Sequence, residues 1–149
     1  MQKLQLSLFV LSYLLCVGCG GDGVNRVAIN GQLQSDDGPI ANASVQFIPE
    51  AGTTGDGALG MSDSEGKFSV ISSRDGDGGL PPGNYRVRIS QMVDGNGTVL
   101  PADATQAEYP DSREGIPAPY STLESPLQVT ISEDGGDVVI ALPSESKKK

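Results

Sequence analysis

The sequence predicts an all-β domain, a seven-stranded antiparallel β-sandwich, on three observations. Apolar residues recur at every second position in several short segments, and clusters of Gly, Pro, Asp and Asn separate those segments. The 20 glycines and 10 prolines favour turns over long helices. With Trp 0, Phe 3 and Tyr 4, the core has to be built mostly from Val, Ile and Leu. Two sheets facing each other across an aliphatic interior satisfy all three.

The first strand is expected over residues 24–34, where Val27, Ile29, Gly31 and Leu33 fall on one face. Asp36-Asp37-Gly38-Pro39 then forms a turn, because short polar side chains satisfy local amides while Gly and Pro set the backbone. A second strand over 43–49 turns Ala43, Val45 and Phe47 inward, and a weaker one follows at 58–62. Asp63-Ser64-Glu65-Gly66 reads as a tight turn into a strand over 67–71, with Phe68 and Val70 on one face. The clearest alternation spans 84–90: Tyr85, Val87 and Ile89 face in, Arg86 and Arg88 out. Two last strands, 127–132 and 137–142, flank the Glu133-Asp134-Gly135-Gly136 turn.

Residues 91–126 are the least regular part of the domain, since Pro101, Pro110, Pro117 and Pro119 interrupt any period. Such an insertion either packs structurally across the end of the sandwich or serves as a functional loop. Tyr120 is its natural anchor, stiffened by the prolines before it, and Tyr109 and Tyr120 are the candidate interaction residues.

Lys3 precedes an apolar run over residues 4–18, which ends at Cys19. A basic start, a hydrophobic stretch and a small residue before cysteine are the requirements of a bacterial lipoprotein signal peptide. Leu15-Cys16-Val17-Gly18-Cys19 resembles a lipobox, with Cys16 where Leu is usual. The run falls short of the roughly 20 residues of a bilayer-spanning helix, and Gly20, Gly21 and Asp22 follow without a basic stop-transfer cluster. An ordinary secretory peptide is the competing reading. The expected organisation is a signal peptide at 1–18, a lipidated Cys19 with a short linker at 19–24, the β domain at 25–143 and a polar basic tail at 144–149. An exported, lipid-anchored protein of the cell membrane or outer membrane, facing the periplasm or exterior, is implied.

Charge and composition narrow the function. The net charge is −9, and removing residues 1–18 takes away one basic residue, Lys3, and no acidic one, leaving −10. Nucleic acid is thereby an unfavourable partner. His 0 excludes histidine general-base catalysis, a Ser-His-Asp triad and histidine metal ligation. A carboxylate pair can in principle perform hydrolysis, but Asp63 and Glu65 are better explained as turn residues. Calcium is the more serious ligand: Asp75 and Asp77 sit in the glycine-rich loop Asp75-Gly76-Asp77-Gly78-Gly79, a hard-oxygen environment that Asp56 or Asp94 would complete if the loops converge. A solvated turn is the leading reading of Asp75 and Asp77, with calcium as its alternative, and no cofactor is expected.

Several motifs together resemble a known family. Gly31, the segment Gly38-Pro39-Ile40-Ala41-Asn42-Ala43-Ser44-Val45-Gln46-Phe47, then Asp63-Ser64-Glu65-Gly66-Lys67-Phe68 and Leu80-Pro81-Pro82-Gly83-Asn84-Tyr85-Arg86-Val87 look like the carboxypeptidase regulatory-like domain, a transthyretin-like seven-stranded sandwich. The resemblance covers residues 25–92 and extends to 142 through the last pair of strands, and the whole also resembles small lipoproteins of planctomycete-type bacteria. It implies an accessory or scaffold module, not a catalytic unit. The function expected is therefore that of a non-catalytic, membrane-anchored envelope lipoprotein with a structural or protein-interaction role and an envelope protein as partner. The alternatives are a calcium- or glycan-binding accessory module, glycan being disfavoured by Trp 0, and a histidine-free carboxylate hydrolase.

Overall fold

A computed structural model describes residues 23–72 and 78–143. The signal-peptide pattern, Cys19, Asp75, Asp77 and the basic tail lie outside the described residues. The domain is all-β, with eleven strands in two larger, mostly antiparallel sheets and one two-stranded ribbon among the described residues.

The first sheet is organised around β1 (Ile29–Ser35), whose even alternation buries Ile29, Gly31 and Leu33 as the pattern requires. One edge of β1 pairs along its whole length with β11 (Gly136–Leu142), and the other carries β2 (Gly38–Pro39) and β5 (Lys67–Phe68). The second sheet has the order β10 (Gln128–Ile131), β7 (Gly83–Ser90), β3 (Ser44–Pro49), β4 (Ala58–Met61), β6 (Val70–Ser72), every neighbour antiparallel. Val45, Phe47, Tyr85, Val87 and Ile89 from this sheet and Ile29, Leu33, Phe68, Val138, Ile140 and Leu142 from the first form one buried cluster. Tyr85 meets Phe47 edge-on at a centroid distance of 6.2 Å, a favoured aromatic geometry.

Three expectations need correction. The pairing is not wholly antiparallel, because β1 and β11 run parallel. The 133–136 turn does not join neighbours: it carries the chain from β10 in the second sheet to β11 in the first, so β11 enters beside β1 in the same direction. The strand expected over 67–71 is two strands. β5 pairs with β1, β6 pairs with β4, and Ser69 between them is where the chain changes sheets. This corner needs Gly31, since a Cβ there would fall on the Phe68 ring. The strand count rises above seven because of this division and because β2, β8 (Met92–Val93) and β9 (Arg113–Glu114) are two-residue pairings within segments read as turn or insertion.

The 91–126 insertion is ordered by its own small core and ribbon. β8 pairs with β9, Val93 and Leu100 are buried, and Ile116 reaches the main cluster. Tyr120 packs against that cluster, in keeping with the anchoring role expected of it. No helix of the described residues is long and apolar enough to cross a membrane.

Candidate functional site

The outer face of the second sheet carries two arginines, a glutamate and an exposed apolar cluster. Alternation along β7 places Arg86 and Arg88 outward, as their positions predict, but neither is left free in solvent. Arg88 Nε donates to the Ser121 carbonyl at 2.8 Å and Arg86 Nη1 to the Leu123 carbonyl at 3.4 Å. Between them the two guanidinium groups hold residues 121–123 as a strap over the sheet. Backbone bonds from the Ile89 amide to the Tyr120 carbonyl, 3.0 Å, and from the Val87 amide to the Leu127 carbonyl, 2.9 Å, fix both ends of that strap.

Across the sheet, Arg86 Nη2 also reaches Glu50 Oε1 at 3.3 Å, and Gln128 Nε2 donates to the same oxygen at 3.0 Å. Ile48, Glu50, Asn84, Arg86 and Leu123 line a shallow groove of about 490 Å³. Beyond Gln46 the face turns apolar. Leu59 on β4 lies directly across from Ile71 on β6, with Met61 two residues along, and the three are 50 %, 55 % and 45 % exposed. Leu59 and Ile71 thus form a cross-strand apolar pair on the outer face of the sheet, at the border of its polar half.

Two carboxylates are consumed by turns of the same construction. Asp63 Oδ1 accepts from the Glu65 and Lys67 amides at 2.8 and 2.9 Å, and Asp94 Oδ1 accepts from the Asn96 and Thr98 amides, both at 2.8 Å. Gly66 and Gly97 occupy the fourth position of each, with φ of 76° and 88°, where a side chain would be strained. The Thr98 amide, foremost among these donors, holds the Asp94 carboxyl below its ordinary range. The Glu65 carboxylate, by hydrogen bond and then by charge, holds the Lys67 ammonium protonated to higher pH than usual. The reading of Asp63 and Glu65 as turn residues agrees with these bonds.

The remaining sequence candidates are dispersed. Tyr109 is partly buried within the insertion, in a shallow depression lined by Asp94, Glu108 and Asp111. Tyr120 sits on the core side of the strap, so the two tyrosines do not form one patch. Asp56 is exposed, and among the described residues no group of three or more Cys, Asp or Glu side chains is placed to hold a metal ion.

Sequence reasoning missed two polar residues that organise the site's surroundings. Ser62, 2 % exposed, accepts from the Ala43 amide at 3.0 Å and donates to the Ile40 carbonyl at 2.8 Å, closing the corner between β2 and β3. Glu114 ties the insertion to the end of β7 through Ser90, Gln91 and Ile116. A lone Ser at a strand end and a lone Glu in a proline-rich stretch carry no periodic signal; only the third dimension gives them partners. No family model, no curated protein and no solved structure matches this chain.

Proposed function

We propose that the chain is an exported envelope lipoprotein, anchored through an acylated Cys19, whose β domain is a transthyretin-like, carboxypeptidase regulatory-like sandwich serving protein interaction instead of catalysis. The apolar run before Gly18-Cys19 supports the anchor. For the domain, the family motifs fall at structural junctions. Gly31 underlies the Phe68 crossing, Asp63 to Gly66 form the turn before β5, and Tyr85 in Leu80-Pro81-Pro82-Gly83-Asn84-Tyr85 donates its hydroxyl to the Pro81 carbonyl at 2.8 Å.

The observation that carries the interaction role is the exposed Leu59, Ile71 and Met61 surface beside the arginine-held strap. An apolar patch edged by polar groups suits an envelope protein partner, with contact made across the outer face of β4 and β6. The test has two readouts on the native protein extracted from membranes. Intact mass and fragmentation of the first peptide are expected to give a mature chain that begins at acylated Cys19. A photo-crosslinker at position 59 or 71 is expected to capture one envelope protein in cells, and Ile71→Lys with the probe at 59 is expected to abolish that capture. An unmodified N-terminus overturns the anchor; capture that survives Ile71→Lys overturns the contact surface.

A further inference from the structure

β11 is an edge strand. It pairs with β1 over all seven residues, and no strand among the described residues lies on its other side. The Gly136 amide donates to the Ala28 carbonyl, so peptide groups at positions 136, 138, 140 and 142 are directed at β1. Because the backbone alternates, those of Asp137, Val139 and Ala141 are directed outward. All three residues are exposed, and Val139 is 60 % exposed.

The edge lacks the features by which exposed strands avoid pairing. No proline, lysine or bulge interrupts Gly136 to Leu142, and the one charged side chain, Asp137, already accepts from Asn30 Nδ2 at 3.2 Å within its own sheet. We propose that two copies of this chain pair here, β11 against β11, antiparallel about a two-fold axis at Val139.

The order of residues favours a second copy over an unrelated strand. With the axis at Val139, that residue faces its own copy and Asp137 faces Ala141, so all three outward residues of each chain engage. Centring the axis one residue either way leaves one of the three in each copy without a partner in the opposing strand, and on one side Pro143 stands there with no N–H to give. On the buried face Val138 meets Ile140 of the opposing strand and continues the core across the junction. The two Asp137 residues lie four positions apart along the ladder, about 13 Å, beyond the screening length of physiological salt. A chain of net charge −9 thus brings no like charges face to face on this strand. A two-fold pairing also closes on itself and uses up both edges.

This inference is independent of how the chain is anchored and of the Leu59 and Ile71 surface. Sedimentation equilibrium of the full chain in density-matched detergent tests it. The expected result is a concentration-dependent monomer–dimer equilibrium that Val139→Pro weakens by roughly thirtyfold or more, the equivalent of two ordinary hydrogen bonds. The monomer tolerates proline there because the Val139 N–H is directed away from β1. Val139→Lys, which sets two ammonium groups against each other at the axis, is expected to weaken the dimer while leaving thermal unfolding of the monomer unchanged, and it decides the matter if the proline variant does not fold. A chain that stays monomeric throughout the concentration series, or a dimer that both variants leave intact, overturns the proposal.

Discussion

The Ser90 hydroxyl, on the last residue of β7, donates to Glu114 Oε2 at 2.6 Å. The other carboxylate oxygen accepts the Gln91 and Ile116 amides, both at 2.9 Å. One side chain therefore joins the strand that leaves the second sheet to the segment that returns 24 residues later. Gln91 reinforces the junction by donating its own side-chain amide to the Ala41 carbonyl at 2.7 Å. The insertion is a docked element in which an anion collects donors from the end of β7, from the first insertion residue and from Ile116.

Replacing that anion should release the insertion and leave the sheets standing. Glu114→Gln turns one acceptor oxygen into a donor facing donors, and charge-assisted bonds of this kind contribute about 1.5 to 3 kcal/mol each. Amide hydrogen exchange at Gln91 and Ile116 is expected to accelerate by roughly tenfold or more, with exchange at Val45, Val87 and Leu33 changed much less. Uniform acceleration across the core would show that the carboxylate supports the whole domain instead of the insertion.

The crossing between sheets makes a second prediction. Position 31 has no room for a methyl group because the Phe68 ring covers it. Gly31→Ala is expected to destabilise by about 1 to 3 kcal/mol, as overpacking of a fixed core does. Phe68→Leu alone also destabilises by removing buried ring surface, but in the Gly31→Ala background it relieves the clash. A double-mutant cycle measured by urea denaturation should therefore give a favourable coupling of about 1 kcal/mol or more. Additive costs would mean that the ring and the glycine do not constrain each other.

How much of this was legible in the sequence follows from what local pattern encodes. β1, β3 and β7 appear in the alternation of Ile29-Leu33, Val45-Phe47 and Tyr85-Ile89 because each has one face on the core and one on solvent. Phe68 and Val70 share a parity, so alternation alone reads them as one strand; the break at Ser69 arises from their separate partners, Gly31 on β1 and Gly60 on β4. The direction of β11 was equally hidden, since its partner β1 lies about a hundred residues away and period two does not encode parallel or antiparallel. Among the site residues, Arg86 and Arg88 were legible as outward-facing. The Ser121 and Leu123 carbonyls they hold were not, because these belong to an insertion whose path is set by Ile89, Val87 and Glu114.

Tyr85 couples the core to pH. Its ring is fully buried and its hydroxyl donates to the Pro81 carbonyl at 2.8 Å, so ionisation would break that bond and place a negative charge in the interior. Burial raises the Tyr85 pKa above the ordinary tyrosine value, and the nearby positive charge of Arg26 only partly opposes it. The folded state then holds this proton more tightly than the unfolded chain. The linked stability is complete below the unfolded pKa of about 10 and is lost as pH rises from there through the higher folded value. Urea denaturation of the native chain should show stability declining from about pH 9.5 upward. Tyr85→Phe should lower stability at neutral pH by about 1 to 2 kcal/mol, because the buried Pro81 carbonyl loses its donor. The difference between the two proteins should then shrink as the pH climbs past 10, since phenylalanine has no proton to lose. A difference that stays constant across that range would place the Tyr85 hydroxyl in contact with solvent and remove it as the source of the alkaline slope.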